Sequence, residues 1–204
     1  MSLAIFTQIF LACLIGAMSP GPSMAVVVNN AIFKNRYHGI LTSIGHGIGI
    51  SIYAVFALIG IGLIVKTNII IFNGIKFISV IFLIYMGIKS ILNNRKIDFD
   101  QGKFMGGATS FFQGFSISIL NPKIFIWFIA IYSQFMSENN DTIFNIYLVI
   151  TAGMVDTFWY ITLTILATSS KSLNFIKSKN DLLSKIIGYL FLILGIAILI
   201  DIFN

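Results

Sequence analysis

The chain has 204 residues, of which 57% are hydrophobic and only 10% charged, and its mean hydropathy is +0.95. Soluble domains contain about 45–50% apolar and about 25% charged residues, so this composition excludes a water-soluble globule. The same hydrophobicity excludes a disordered chain. The net charge of +6 comes from Lys and Arg in short breaks between apolar runs, as in membrane-protein loops. We therefore predict an integral membrane protein that binds lipid bilayer and no nucleic acid.

Six apolar stretches are long enough to cross a bilayer as helices, since a crossing takes about 20 residues. The first lacks a charged stretch before it, so we expect a retained helix rather than a signal peptide. The predicted fold is an all-α integral membrane protein with six transmembrane helices. They span approximately 3–30, 40–65, 69–92, 111–136, 143–168 and 184–203.

The central polar stretch, 93–109, divides the chain into two parts, 1–92 and 110–204, with three predicted spans each. An odd number of spans per part makes the two parts face the membrane in opposite senses, which is the arrangement of inverted repeats in secondary transporters. Ten of the 13 Lys and Arg fall on the linker's side of the six spans. Because cytoplasmic loops are rich in these residues, we predict a cytoplasmic linker and both termini outside.

All three prolines lie inside predicted spans, in the first span of each part. Proline removes a backbone donor and clashes with the preceding turn, and freed backbone groups at membrane depth are tolerated only inside protein or beside a cavity. Matched breaks in helices 1 and 4 therefore predict a central binding site, with structural kinks as the alternative. The predicted substrate-binding residues are Ser19, Pro20, Gly21, Pro22, Asn121, Pro122 and Lys123.

Ionisable residues inside spans are costly and mark functional sites by default. Asp156 lies in the fifth span without Lys or Arg nearby in sequence, and we assign it to proton coupling or substrate contact. Lys123 follows Pro122 at a helix start, where the helix dipole disfavours a cation. It therefore needs a counter-charge, either Asp156 or a substrate carboxylate. His46 suits a proton relay because histidine changes charge near neutral pH, although a packed polar residue is an equal alternative.

Several short motifs carry a family resemblance. They are Ser19-Pro20-Gly21-Pro22, Gly45-His46-Gly47-Ile48-Gly49, Tyr85-Met86-Gly87, Phe112-Gln113-Gly114-Phe115, Asn121-Pro122-Lys123 and Asp156. Through them nearly the whole chain resembles the LysE/RhtB family of bacterial amino-acid exporters. The resemblance implies an antiporter in the bacterial cytoplasmic (inner) membrane that exports amino acids or their derivatives in exchange for protons. The chain departs from the family pattern at Asn35, at Ser79 and in the segment 132–135. These departures affect the expected loop geometry and substrate class rather than membership of the family.

Two other functions are alternatives to amino-acid export. A small intramembrane enzyme would use His46 and Asp156 as base and orienter, but no GxSxG motif supplies a nucleophile. A metal-cation exporter of the same superfamily would need more soft ligands than one Cys and two His. We expect no cofactor and no bound metal. The Gly45-x-x-x-Gly49 face suits either internal packing or a homodimer.

The remaining polar and aromatic residues of the spans receive weaker assignments. The side-chain amides that are candidates for contact with a zwitterion are those of Asn29, Asn30, Gln113 and Asn121. An equal alternative is that Asn29 and Asn30 mark the polar end of the first span. Trp127 and Trp159 are assigned to lipid or to packing rather than to ligand.

Overall fold

The computed structural model describes residues 3–92, 107–136 and 142–203, in which the regular structure is helical. Of the predicted linker at 93–109, residues 93–106 lie outside these ranges. In chain order the helices are α1 (Leu3–Met18), α2 (Pro22–Asn29), a π-helical turn (Asn30–Lys34), α3 (Arg36–Thr67), α4 (Ile69–Leu92), α5 (Gly107–Ile119), α6 (Pro122–Phe135), α7 (Thr142–Ala167) and α8 (Ser170–Phe203).

Both predicted helix breaks are present. α1 and α2 bend by 69° across Ser19–Gly21, and α5 and α6 bend by 57° across the Asn121 region. Pro22 and Pro122 each occupy the first turn of the new helix, where a missing N–H costs nothing. Asn121 also caps α6, because its side-chain oxygen accepts from the Lys123 backbone N–H at 3.1 Å. The prolines therefore end one helix and start the next rather than kinking a continuous one.

The helices have the length and surface of membrane spans. Among the described residues, three helices are long and apolar enough to cross a bilayer, at Arg36–Ile64, Ile70–Leu92 and Thr142–Ala167, and the two bent pairs raise that number to five. In α7 the exposed large side chains follow one another at helical spacing along one face, while the opposite face is buried. The exposed set is Ile143, Ile146, Ile150, Met154, Phe158, Ile165 and Leu166.

The C-terminal region differs from the prediction. We expected a loop before residue 184, but α8 runs without a break from Ser170 to Phe203, and its apolar part is Ser184–Ile200. The stretch 170–187 contains no Pro or Gly, so nothing in it stops a helix. The polar residues before 184 therefore mark where the apolar stretch begins, and they do not interrupt the helix.

Close helix packing depends on glycines of α3, α5 and α7. A Cβ at Gly45 would overlap the Phe111 backbone of α5, and one at Gly47 would overlap Thr157 of α7. The Gly45/Gly49 face therefore packs internally against α5, so a homodimer would need another surface. α4 and α8 approach in the same way, since a Cβ on Gly87 would come within 2.9 Å of the Gly188 carbonyl oxygen. These contacts hold α3 between α5 and α7, the position from which its side chains reach the helix breaks.

Candidate functional site

A cavity lies beside the two helix breaks, enclosed by α1, α3, α6 and α7. It contains about 640 Å³ of space not occupied by atoms, including the part that opens to the outside. Each helix contributes residues at helical spacing, such as His46 and Ile50 of α3, four residues apart. The polar side chains on its wall include most of the predicted site residues. They are Ser19, Ser23, His46, Asn121, Lys123 and Asp156.

Lys123 links the second helix break to the first through hydrogen bonds. Its ammonium donates to the backbone oxygens of Ser19 at 3.2 Å and Pro20 at 3.4 Å, and to the Ser19 hydroxyl. The break leaves carbonyls at the end of α1 without helical partners, and a cation at a helix C-terminus is favourable. The unfavourable position of Lys123 at the start of α6 is therefore offset by its contact with the end of α1.

A second bond joins the same two breaks. The Asn121 side-chain amide donates to the Ser23 hydroxyl across 3.3 Å, and both side chains are buried. Ser23 lies in the first turn of α2 and Asn121 is the cap of α6. Two half-helices from opposite parts of the chain therefore start side by side, with their N-termini next to the cavity.

His46 and Asp156 form a buried pair on the cavity wall. His46 Nδ1 lies 2.7 Å from Asp156 Oδ2, and the residues are 1% and 4% exposed. The Tyr160 ring packs edge-on against the imidazole, with 4.8 Å between ring centroids. His46 Nε2 has no hydrogen-bond partner among the described residues. An imidazole oriented by a carboxylate, with its second nitrogen unused, is suited to taking up and releasing a proton.

The structure brings most of the sequence-predicted site together and changes two expected contacts. Asp156 pairs with His46, not with Lys123. Asn30 and Gln113, candidates for contact with a zwitterion, lie outside the cavity lining and bond to each other, with Asn30 Nδ2 2.9 Å from Gln113 Oε1. Among the prolines, Pro20 contributes its carbonyl to Lys123, while Pro22 and Pro122 act by starting α2 and α6.

Several wall residues were missed from the sequence. Cys13, Trp127 and Tyr160 all line the cavity, and Trp127 also packs in the hydrophobic core, as the sequence predicted. The indole packs directly on Gly16, where a Cβ would lie 2.8 Å from Trp127 Cε2. The available signal was periodicity, because Trp127 lies four residues after Lys123 and so faces the same side of α6.

A separate polar network lies on the other side of the breaks, between α2, α3 and α5. Asn30 Nδ2 donates to Thr42 Oγ1 at 2.8 Å as well as to Gln113. At the end of the π-helical turn, Lys34 Nζ donates to Ser110 Oγ at 3.0 Å. None of the described α5 residues lines the cavity, so this network lies outside the cavity wall.

Residues 14–202 match the model of the LysE type translocators. The chain belongs to this LysE family. The family predicted from the sequence motifs is thereby confirmed, and its members are described as translocators. No solved structure matches this LysE-family chain.

Three relatives of this LysE-family protein show its degree of similarity to other membrane and efflux proteins. It is 30% identical over 132 residues to the uncharacterized membrane protein YrhP of Bacillus subtilis (strain 168), covering 60% of the chain and 63% of the relative. It is 26% identical over 140 residues to a leucine efflux protein of Klebsiella pneumoniae, covering 65% and 66%. It is 25% identical over 145 residues to a threonine efflux protein of Escherichia coli (strain K12), covering 69% and 70%. The chain thus spans just under two thirds of the first two relatives.

Proposed function

We propose that this protein is a secondary transporter that exports amino acids or their derivatives across the bacterial cytoplasmic membrane in exchange for protons. The observation that carries the proposal is one cavity flanked by a cation, Lys123, and by a buried carboxylate, Asp156. A free amino acid carries the complementary pair of charges. Relatives named leucine and threonine efflux proteins support the same substrate class.

The substrate carboxylate binds at the helix breaks. The N-termini of α2 and α6 meet there, and helix N-termini favour anions. The three acceptors at Ser19 and Pro20 occupy the three N–H groups of Lys123. A carboxylate that takes Lys123 displaces at least one of them, so binding loosens the bond between the two breaks. This links substrate binding to relative movement of the two parts of the chain.

Proton coupling takes place at the His46–Asp156 pair. When Nδ1 donates to the carboxylate, Nε2 carries a lone pair, and a proton taken up there converts the pair to an imidazolium and a carboxylate. The unprotonated pair is net negative and attracts the substrate ammonium, whereas the protonated pair is neutral and attracts it less. Proton and substrate therefore oppose each other at this site, as antiport requires.

The membrane arrangement is six spans in two inverted repeats, 1–92 and 110–204. α8 provides the sixth span, through its apolar part Ser184–Ile200. The main contacts between the two parts include equivalent helices, α3 with α7 and α4 with α8, as an in-plane two-fold axis would give. With both termini outside, the cavity lies on the outer side of the breaks, and the Asn30–Gln113 network closes the cytoplasmic side.

Transport by purified protein in proteoliposomes tests the proposal. Vesicles loaded with one labelled amino acid at a time are diluted into buffer that imposes a pH gradient, with empty liposomes and a proton ionophore as controls. We expect gradient-dependent flux of at least one amino acid, abolished by the ionophore. Flux that is independent of the gradient would reject proton coupling alone. Absence of flux for every amino acid tested would reject the exporter function.

A further inference from the structure

We infer that the cavity selects amino acids with an aliphatic or aromatic side chain over those with a basic or hydroxylated one, and that Trp127 is a specificity-determining residue. This inference rests on the proposed export of amino acids. This selectivity follows from the residues that line the cavity beyond Lys123, where the side chain of a substrate lies when the substrate carboxylate is bound at Lys123.

The α6 wall beyond Lys123 is apolar up to Tyr132, whose hydroxyl is bonded to the Leu148 carbonyl oxygen. Ile124, Trp127, Phe128 and Ile131 line the cavity, at the spacing that places residues on one helix face. At 1.5 Å of rise per residue, this stripe extends about 12 Å from Lys123. A substrate side chain of ordinary length therefore lies against it along its whole length.

The facing wall on α1 consists of small residues. Cys13, Gly16 and Ala17 line the cavity, and their spacing again defines one helix face. Gly16 provides the space for the indole, since a Cβ there would lie 3.1 Å from Trp127 Cδ1 and still closer to other indole atoms. Ile50 of α3 and Ala152 of α7 complete an apolar enclosure. The two walls are in contact at Gly16 and Trp127, and the residues around this contact offer an apolar surface to a hydrocarbon side chain.

The charged groups of the wall are already engaged, and His46 Nε2, which has no partner among the described residues, takes the proton in the proposed function. Asp156 is bonded to His46 and Lys123 to the end of α1. The Tyr132 hydroxyl donates to the Leu148 carbonyl oxygen at 2.9 Å, so its proton is not free for a substrate hydroxyl. A second ammonium on the substrate would be buried without a counter-charge, which is strongly unfavourable. A hydroxyl would lose water without gaining a strong partner, which is a smaller penalty.

Binding and transport measured on the same panel test the inference. In Trp159→Phe protein, Trp127 is the only tryptophan left, so its fluorescence reports on the cavity while the wall stays native. We expect leucine and phenylalanine to saturate the signal at concentrations about tenfold or more below those for alanine, threonine and lysine. The same order is expected for inhibition of labelled leucine flux in proteoliposomes.

The variants Trp127→Leu and Trp159→Leu give the matched comparison, because Trp159 is the same residue type outside the cavity wall. We expect Trp127→Leu to weaken phenylalanine inhibition about tenfold relative to alanine, and Trp159→Leu to leave that ratio unchanged. Lysine or threonine acting at concentrations equal to or below leucine would overturn the inference while the export function stands. No binding and no flux for any amino acid would overturn both.

Discussion

Nδ1 of His46 lies 2.7 Å from Oδ2 of Asp156, inside the protein and 110 residues away in sequence. The two residues belong to α3 and α7, which lie before and after the stretch 93–109 of the chain. The pair therefore links the two parts at the cavity wall. Removing one partner of such a buried pair leaves the other buried without its charge or hydrogen-bond partner. A substitution that keeps the hydrogen bond but removes the charge therefore tests function without a large loss of stability.

Asp156→Asn is expected to abolish pH-gradient-driven flux while the protein stays folded. The amide has the shape of the carboxylate and can still bond to His46, but it removes the charge that favours a protonated imidazole. Exchange of labelled for unlabelled substrate without a gradient should persist, because it needs no net proton movement. Asp181→Asn is the control, since Asp181 is exposed and pairs with Lys185. Normal gradient-driven flux in Asp156→Asn would contradict the coupling assignment.

Lys123→Met is expected to weaken substrate binding by about 10-fold to 100-fold, because hydrogen bonds to charged groups are worth about 1.5–3 kcal/mol. It also leaves the Ser19 and Pro20 carbonyls without their cation, so thermal stability in detergent should fall. Lys185→Met removes a lysine from an exposed pair and should change neither quantity. Unaltered affinity in Lys123→Met, measured by inhibition of substrate exchange, would place the carboxylate elsewhere.

Gly47→Ala is expected to destabilise the bundle strongly, because the added Cβ overlaps Thr157 and lies 3.0 Å from the Gly153 carbonyl oxygen. Gly60→Ala is the matched change in the same helix, where no atom lies within 4 Å of the added Cβ. Alanine favours a helix over glycine by about 0.5–1 kcal/mol, so Gly60→Ala should be neutral or mildly stabilising. Melting temperatures measured in one detergent compare the two. Equal melting temperatures would mean that α3 and α7 are less closely packed than described.

Cys13 is the single cysteine of the chain and lines the cavity. A small membrane-impermeant thiol reagent should modify it from the outer side and more slowly from the cytoplasmic side, because the Asn30–Gln113 network closes the latter. Saturating substrate should slow the modification by occupying the same space. Labelling in right-side-out and inverted vesicles measures this, with Cys13→Ser as the background. Faster labelling from the cytoplasmic side would reverse the assigned sidedness of the cavity.

The sequence by itself determined the class of protein and the places where its helices break. Apolar stretches require internally bonded backbone in a bilayer, which leaves helices as the solution here. Pro22 and Pro122 act locally through a missing donor and a ring, so their effect is visible without any tertiary contact. The lack of a charged neighbour around Asp156 likewise marked it as a candidate functional residue before its partner was known.

Only the tertiary structure decided which of these residues meet. Lys123 was expected to need a counter-charge. In the structure it bonds to carbonyl oxygens at the end of α1, because the first helix break lies beside the second. The partner of His46 was unknown until α3 and α7 placed it against Asp156. Trp127 became part of the cavity wall because Gly16 leaves room for its ring. Such pairings depend on how distant helices pack, and the local pattern of one chain does not contain that information.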